Sequence, residues 1–183
     1  MLRGRIGIAS ASSALLTLST AGYAALSTAS DAHVGFEASG PAGLKITGST
    51  GELTATEDSG NVVLTVALGN LTTGIGLRDQ HMKEKYLEVT KFPSTTLTVA
   101  RTALTLPASG QKSAGDASGT LTLHGQSHPV TVHYDSKADG GSIVTHGTFH
   151  INMNDFGITV PTYLGVTVKP GVDVSATFKV TSS

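Results

Sequence analysis

The sequence predicts an all-β fold of short antiparallel strands with one short helix. Three observations lead there. Apolar and polar residues alternate with period two in segment after segment, the pattern of a strand that turns one face to a core. Clusters of Gly, Ser, Asp, Asn and Pro separate those segments at hairpin intervals. The chain of 183 residues is 39% hydrophobic but only 14% charged, with 22 Gly and abundant Thr and Ser. Threonine suits a pleated surface, and glycine suits turns and bulges.

The N-terminus reads as an export leader. Arg3 and Arg5 precede the apolar stretch Ile6 to Leu18, which is too short and too Ser-rich to span a bilayer comfortably. Gly22 and Ala24 fit a cleavage site after Ala24, which leaves residues 25–183 as one domain. The expected location is periplasmic or secreted, with no transmembrane anchor once the leader is cut.

The strands follow in order. Val34, Phe36 and Ala38 share one face of HVGFEA. After the turn Gly40–Gly43, Leu44 and Ile46 alternate with Lys45 and Thr47, and TGELTA continues with Leu53. Glu57–Asn61 has hairpin composition. Val62, Leu64, Val66 and Leu68 then fall on one face, with Val63 and Ala67 on the other. From Leu77 to Val89 the period changes: Met82, Tyr86 and Val89 take helical spacing, and Asp79 is placed to cap the first turn. Leu97 and Val99 resume the strand period. Pro107 to Ser118 reads as a loop. Leu121 and Leu123 point inward and Thr120, Thr122 and His124 outward, before a turn at Gly125–Pro129. Val130, Val132 and Tyr134, then Ile143, Phe149 and Ile151, continue the inner face across a hairpin loop at Ser136–Ser142. The clearest alternation closes the chain, with Val172, Val174, Ala176, Phe178 and Val180 against Asp173, Ser175, Thr177 and Lys179. Periodicity leaves barrel and sandwich both open.

Several function classes are set aside. With no cysteine, disulfides, thiolate catalysis and Cys-type zinc sites are excluded. The balance of 12 Lys+Arg against 13 Asp+Glu offers no basic footprint for nucleic acid. Seven histidines invite a metal site. On a strand, however, residues four apart such as His146 and His150 lie roughly 13 Å from one another. His133, His146 and His150 sit on the faces read as solvent-exposed, so no metal ligands are assigned. Ser127-His128 lacks the second glycine of a G-x-S-x-G elbow, and no catalytic residue is assigned.

LRDQHMKEKYLEVTKFPSTTL resembles the YceI-like, lipocalin-like family through Arg78, Asp79, His81, Phe92 and Pro93. GTLTLHGQSHPV resembles its strand-turn-strand through Gly119, Leu121, Gly125 and Pro129. FHINMNDFGI resembles its late strand and turn through Ile151, Asp155, Phe156, Gly157 and Ile158, and VDVSATF resembles its closing strand. Two positions depart: Met153 stands where the family often has Arg, and His33-Val34 where it often has His-Ser.

The resemblance implies an extended antiparallel barrel of about eight strands, closed by the short helix, whose interior holds a long isoprenoid chain. An eight-stranded barrel has room for its own side chains or for one slender ligand. The expected ligand-binding residues are Val34, Phe36, Leu64, Val66, Arg78, Met82, Leu97, Val99, Leu121, Phe149 and Phe178. The expected partner is an apolar lipid; no cofactor is called for. Such a wall selects by length and width rather than by headgroup, because burial of about 0.8 kcal/mol per methylene carries the affinity. The competing readings are a structural or stress-response barrel filled by its own side chains, and an enzyme or metal protein using the histidines.

Overall fold

The computed structural model describes residues 26–163 and 165–182. The segment read as an export leader, residues 1–24, lies outside the described residues.

Period-two alternation becomes a nine-stranded antiparallel sheet. In chain order its strands are β1 (Leu26–Ser39), β2 (Lys45–Thr50), β3 (Leu53–Asp58), β4 (Asn61–Ala67), β5 (Ser94–Ala100), β6 (Lys112–Leu123), β7 (Gln126–Asp139) and β8 (Ser142–Asn152). The short hairpin β9 (Thr162–Tyr163) and β10 (Val166–Thr167) stands apart, and β11 (Gly171–Ser182) completes the sheet. Strand β1 pairs with β11 on one side and with β2 and β3 on the other, so the sheet curls until first and last strands meet. Eight strands make the circuit, with β2 beside the second half of β1. Antiparallel neighbours joined by short turns give this curl directly. The turns Ser59–Gly60, His124–Gly125 and Gly140–Gly141 have positive φ at both residues, the geometry that matches the right-handed twist of the flanking strands.

Strands β2 and β3 form one line bent at Gly51–Glu52. The half made by β3 is paired on both sides. The half made by β2 has β1 on one side and only the bridge Ser49↔Thr72 on the other, among the described residues. There the wall is incomplete, and the helical segment covers it. That segment comprises α1 (Gly76–His81) followed by a π-helical turn, Met82–Tyr86.

Two buried clusters divide the interior by height. One fills the end near the β3–β4 turn with Leu53, Ala55, Val62, Ile143, Phe178 and Val180. The other lies toward the helical segment and includes Leu68, Leu121, Leu123, Ile151, Phe156 and Val172.

Several sequence readings need correction. Both turns flanking β7 are shorter than read: Gln126–Pro129 and Ser136–Asp139 belong to the strand, laddered to β6 and β8, and only His124–Gly125 and Gly140–Gly141 turn. The segment 112–118, read as loop, is the first half of β6, laddered to β7 from Lys112↔Lys137 to Ser118↔Thr131. Its inner face carries almost no bulk, only Ala117 and Gly115, because the Tyr134 ring lies across it: a Cβ on Gly115 would stand 3.3 Å from the Tyr134 hydroxyl. Asp79 does not cap the helix. The helix starts at Gly76, so Asp79 falls inside the first turn and reaches back to the preceding loop. His124, read as outward, turns its side chain inward to 12% exposure. The alternation of β11 holds at Val172, Phe178 and Val180, which are buried, while Ser175, Thr177 and Lys179 are half-buried.

Candidate functional site: an apolar cavity under a helical lid

The cavity occupies the end of the barrel that the helical segment covers, with a volume of about 810 Å³. That is within the range of small-molecule sites, roughly 300–1,000 Å³. Its floor and walls come from Val34, Phe36 and Ala38 of β1, Val66 of β4, Leu121 and Leu123 of β6, Phe149 and Ile151 of β8, and Val172 and Val174 of β11. Met82, Tyr86 and Leu87 close it from the lid. At the mouth stand Leu44, Ile75, Leu77 and Val166, apolar side chains between 40% and 56% exposed.

The polar wall residues fall into two kinds. Threonines are already satisfied by the protein. Thr95 Oγ1 donates to the Thr122 carbonyl at 2.8 Å, and Thr162 Oγ1 is hydrogen-bonded to Thr167 Oγ1 at 2.9 Å. Neither is left seeking a partner in the cavity. The other kind is basic: Arg78, His81 and Lys85 border the cavity from the lid.

The lid is pinned at both ends. At its start, Thr72 and Ser49 exchange backbone hydrogen bonds of 2.8 and 3.0 Å. The Asp79 carboxylate accepts from Thr72 Oγ1 at 2.5 Å, from the Thr73 amide at 2.7 Å and from Thr73 Oγ1. Hydrogen bonds from Thr72 and then Thr73 hold its carboxyl down at about 2. Thr73 in turn accepts from Arg78 Nε at 2.7 Å through Oγ1 and from Nη2 at 2.9 Å through its carbonyl. At the far end, His124 Nε2 meets Glu88 Oε2 at 2.7 Å while its Nδ1 faces the Phe156 carbonyl at 3.1 Å. The Phe92 ring lies 4.6 Å from the imidazole, centroid to centroid. It packs so closely on Gly125 that a Cβ there would come within 2.7 Å of it.

Of the residues expected to contact ligand, Val34, Phe36, Val66, Arg78, Met82, Leu121 and Phe149 line the cavity. Leu64, Leu97, Val99 and Phe178 do not. Phe178 belongs to the filled end, and Leu97 and Val99 are buried on β5 next to Gly119. Alternation distinguishes inside from outside but not height along the barrel axis. Sequence reading missed Ile75, Leu77 and Val166 at the mouth, which belong to no alternating run. Leu44, Ile151, Val172 and Val174 had the inward signal. Met153, the departure from the family's Arg, is buried and lines the cavity, so this wall position is apolar.

The outward histidines have local partners. His133 pairs with Asp116 at 2.5 Å, His150 with Asp173 at 2.7 Å, and His146 with the Thr177 hydroxyl at 3.0 Å. Each pair lies across neighbouring strands on an exposed face.

A curled antiparallel sheet with a helical lid over an apolar cavity defines a lipocalin-like barrel. The YceI-like domain model matches residues 25–180, and the chain belongs to that family. It is 32% identical over 108 residues to UPF0312 proteins of Pseudomonas savastanoi pv. phaseolicola and Pseudomonas syringae pv. syringae. Those matches cover 55% of this chain, which spans about half the length of these curated relatives (53%). Among solved structures, a polyisoprenoid binding domain from Saccharophagus degradans is similar, with a TM-score of 0.74 and 19% identity over 88% of this chain and 100% of that one. BcnA of Burkholderia cenocepacia gives a TM-score of 0.64 at 16% identity, covering 82% of this chain and 99% of that one. The YceI protein of Campylobacter jejuni gives 0.57 at 15% identity, covering 75% and 85%. At these identities the structures establish the shared fold.

Proposed function

We propose that the protein binds and carries one long apolar chain of isoprenoid type in the cavity under the lid, and that it does so in the cell envelope after export. The observation that carries this reading is the cavity itself, about 810 Å³ walled almost wholly by aliphatic and aromatic side chains. Exposed apolar surface of this kind is costly in water and is relieved by an apolar occupant, at about 25 cal/mol per Å² buried. The wall's threonines are satisfied internally, so the ligand needs no directional polar groups along its length. The polyisoprenoid binding domain of Saccharophagus degradans, with the same fold, supports the choice of chain. Export rests on the leader pattern of Arg3, Arg5 and the apolar stretch to Leu18. Among the described residues no helix is long and apolar enough to cross a membrane. A barrel filled by its own side chains describes the Phe178 end alone.

The test is to block the cavity. Leu121 is 5% exposed and lines the wall. Leu121→Trp puts an indole into the space the ligand needs. The expected result is loss of the melting-temperature rise that an isoprenoid probe gives the wild-type protein by linkage. An undiminished rise in a folded Leu121→Trp protein contradicts the assignment of the site.

A further inference from the structure

We propose that the chain held in this cavity carries an anionic, phosphate-type headgroup, seated at the mouth on Arg78, His81 and Lys85. The inference rests on the binding reading above and names the ligand's polar end. Three observations point to it.

The first is placement. Arg78, His81 and Lys85 are spaced three and four apart on the lid, so they fall along one side of it, and all three border the cavity. Among the described residues no Asp or Glu lines it. The charge bordering an otherwise apolar cavity is therefore of one sign.

The second is the fate of the nearby carboxylates. Asp79 is held by Thr72 and Thr73. Glu84 accepts from the Gln80 amide at 3.2 Å, and Glu88 is engaged with His124. Among the described residues neither Arg78 nor Lys85 is in an ion pair: Arg78 donates to the neutral oxygens of Thr73, and Lys85 Nζ stands 5.5 Å from the centre of the Tyr86 ring. The lid carries acids, yet Asp79 and Glu88 are engaged in pinning it and Glu84 bonds to Gln80 within it, and none of the three forms an ion pair with the bases at the mouth among the described residues.

The third is orientation. Asp79 fixes Thr73, and Thr73 fixes Arg78 through both Nε and Nη2. The guanidinium is thus set in position before any ligand arrives. A guanidinium fork matches two oxygens of a phosphate, and an ammonium and an imidazole beside it can donate to others. An alcohol or hydrocarbon end uses none of this charge. The apolar tail supplies most of the affinity; the headgroup contacts set the preference between chains of equal length and the direction in which the chain enters.

The experiment compares two probes with the same tail, geranylgeranyl monophosphate and geranylgeraniol, by fluorescence competition at low salt. For the full chain the phosphate is expected to bind at least 10-fold more tightly. That ratio should shrink as salt rises, because exposed charge pairs are screened. Lys85→Gln and Arg78→Gln should each bring the ratio toward one, with apo melting temperatures recorded to show that the variants fold. If the alcohol binds as tightly as the phosphate, the headgroup proposal is overturned while the apolar-chain reading stands. If neither probe binds, both fall. A ratio that survives both substitutions also overturns the assignment to this mouth.

Discussion

Phe178→Ala separates the filled end of the barrel from the cavity end. The ring is 7% exposed and packs in the cluster with Leu53, Ala55, Val62 and Val180. Its backbone pairs with Thr145 of β8; on the β1 side the ladder shifts register opposite it and holds at Lys179↔Ala29 and Thr177↔His33, so the two flanking strands limit how far the wall can move into the space left behind. Loss of a fully packed aromatic ring costs about 3–5 kcal/mol, with the larger values where the site cannot collapse. At about 2–4 °C per kcal/mol for a domain of this size, the melting temperature should fall by roughly 6–20 °C. Phe178 does not line the cavity. The folded variant, assayed below its own melting temperature, should therefore bind an isoprenoid probe with an affinity close to that of the wild type. Calorimetry gives the first quantity and probe titration gives the second. An unchanged melting temperature, or loss of binding without loss of stability, would refute this division of the interior.

Two further predictions concern the lid. His124→Ala removes the link between Glu88 and the Phe156 carbonyl. It should cost about 1–3 kcal/mol, the range for leaving a buried partner unsatisfied, and should speed hydrogen exchange in residues 82–92; unaltered exchange there speaks against the pin. At the other end, the carboxyl of Asp79 is lowered from 3.8 to about 2. A lowered carboxyl stabilises the folded state above its unfolded value, and that contribution is lost as pH falls through the folded one. The melting-temperature gap between wild type and Asp79→Asn should therefore hold down to about pH 4 and narrow towards pH 2, whereas a gap independent of pH refutes the role given to ionised Asp79.

Much of this architecture is legible in the sequence. The alternation from Val172 to Val180 matches a strand paired on both sides, and the change of period at Met82 and Tyr86 marks the lid. The residues of the first half of β6 are illegible for a physical reason. Gly115 and Ala117 leave room for Tyr134 and form a strand through the ladder to β7, not through apolar faces of their own. His124 is illegible because its burial depends on Glu88 and Phe156, far away in the chain. The candidate site is legible only in part because a cavity depends on height along each strand. On β11, Val172 and Val174 border it and Phe178 does not; on β4, Val66 does and Leu64 does not. Period two assigns all of them to the same inner face.

The most direct test of the central claim is mass spectrometry of the intact protein and of its organic extract, after production in the native host and purification without detergent. The account predicts a long apolar isoprenoid-type chain bound at about one per protein, displaced in the Leu121→Trp variant. Protein that carries no lipid, and whose melting temperature no isoprenoid or fatty chain raises, would contradict it.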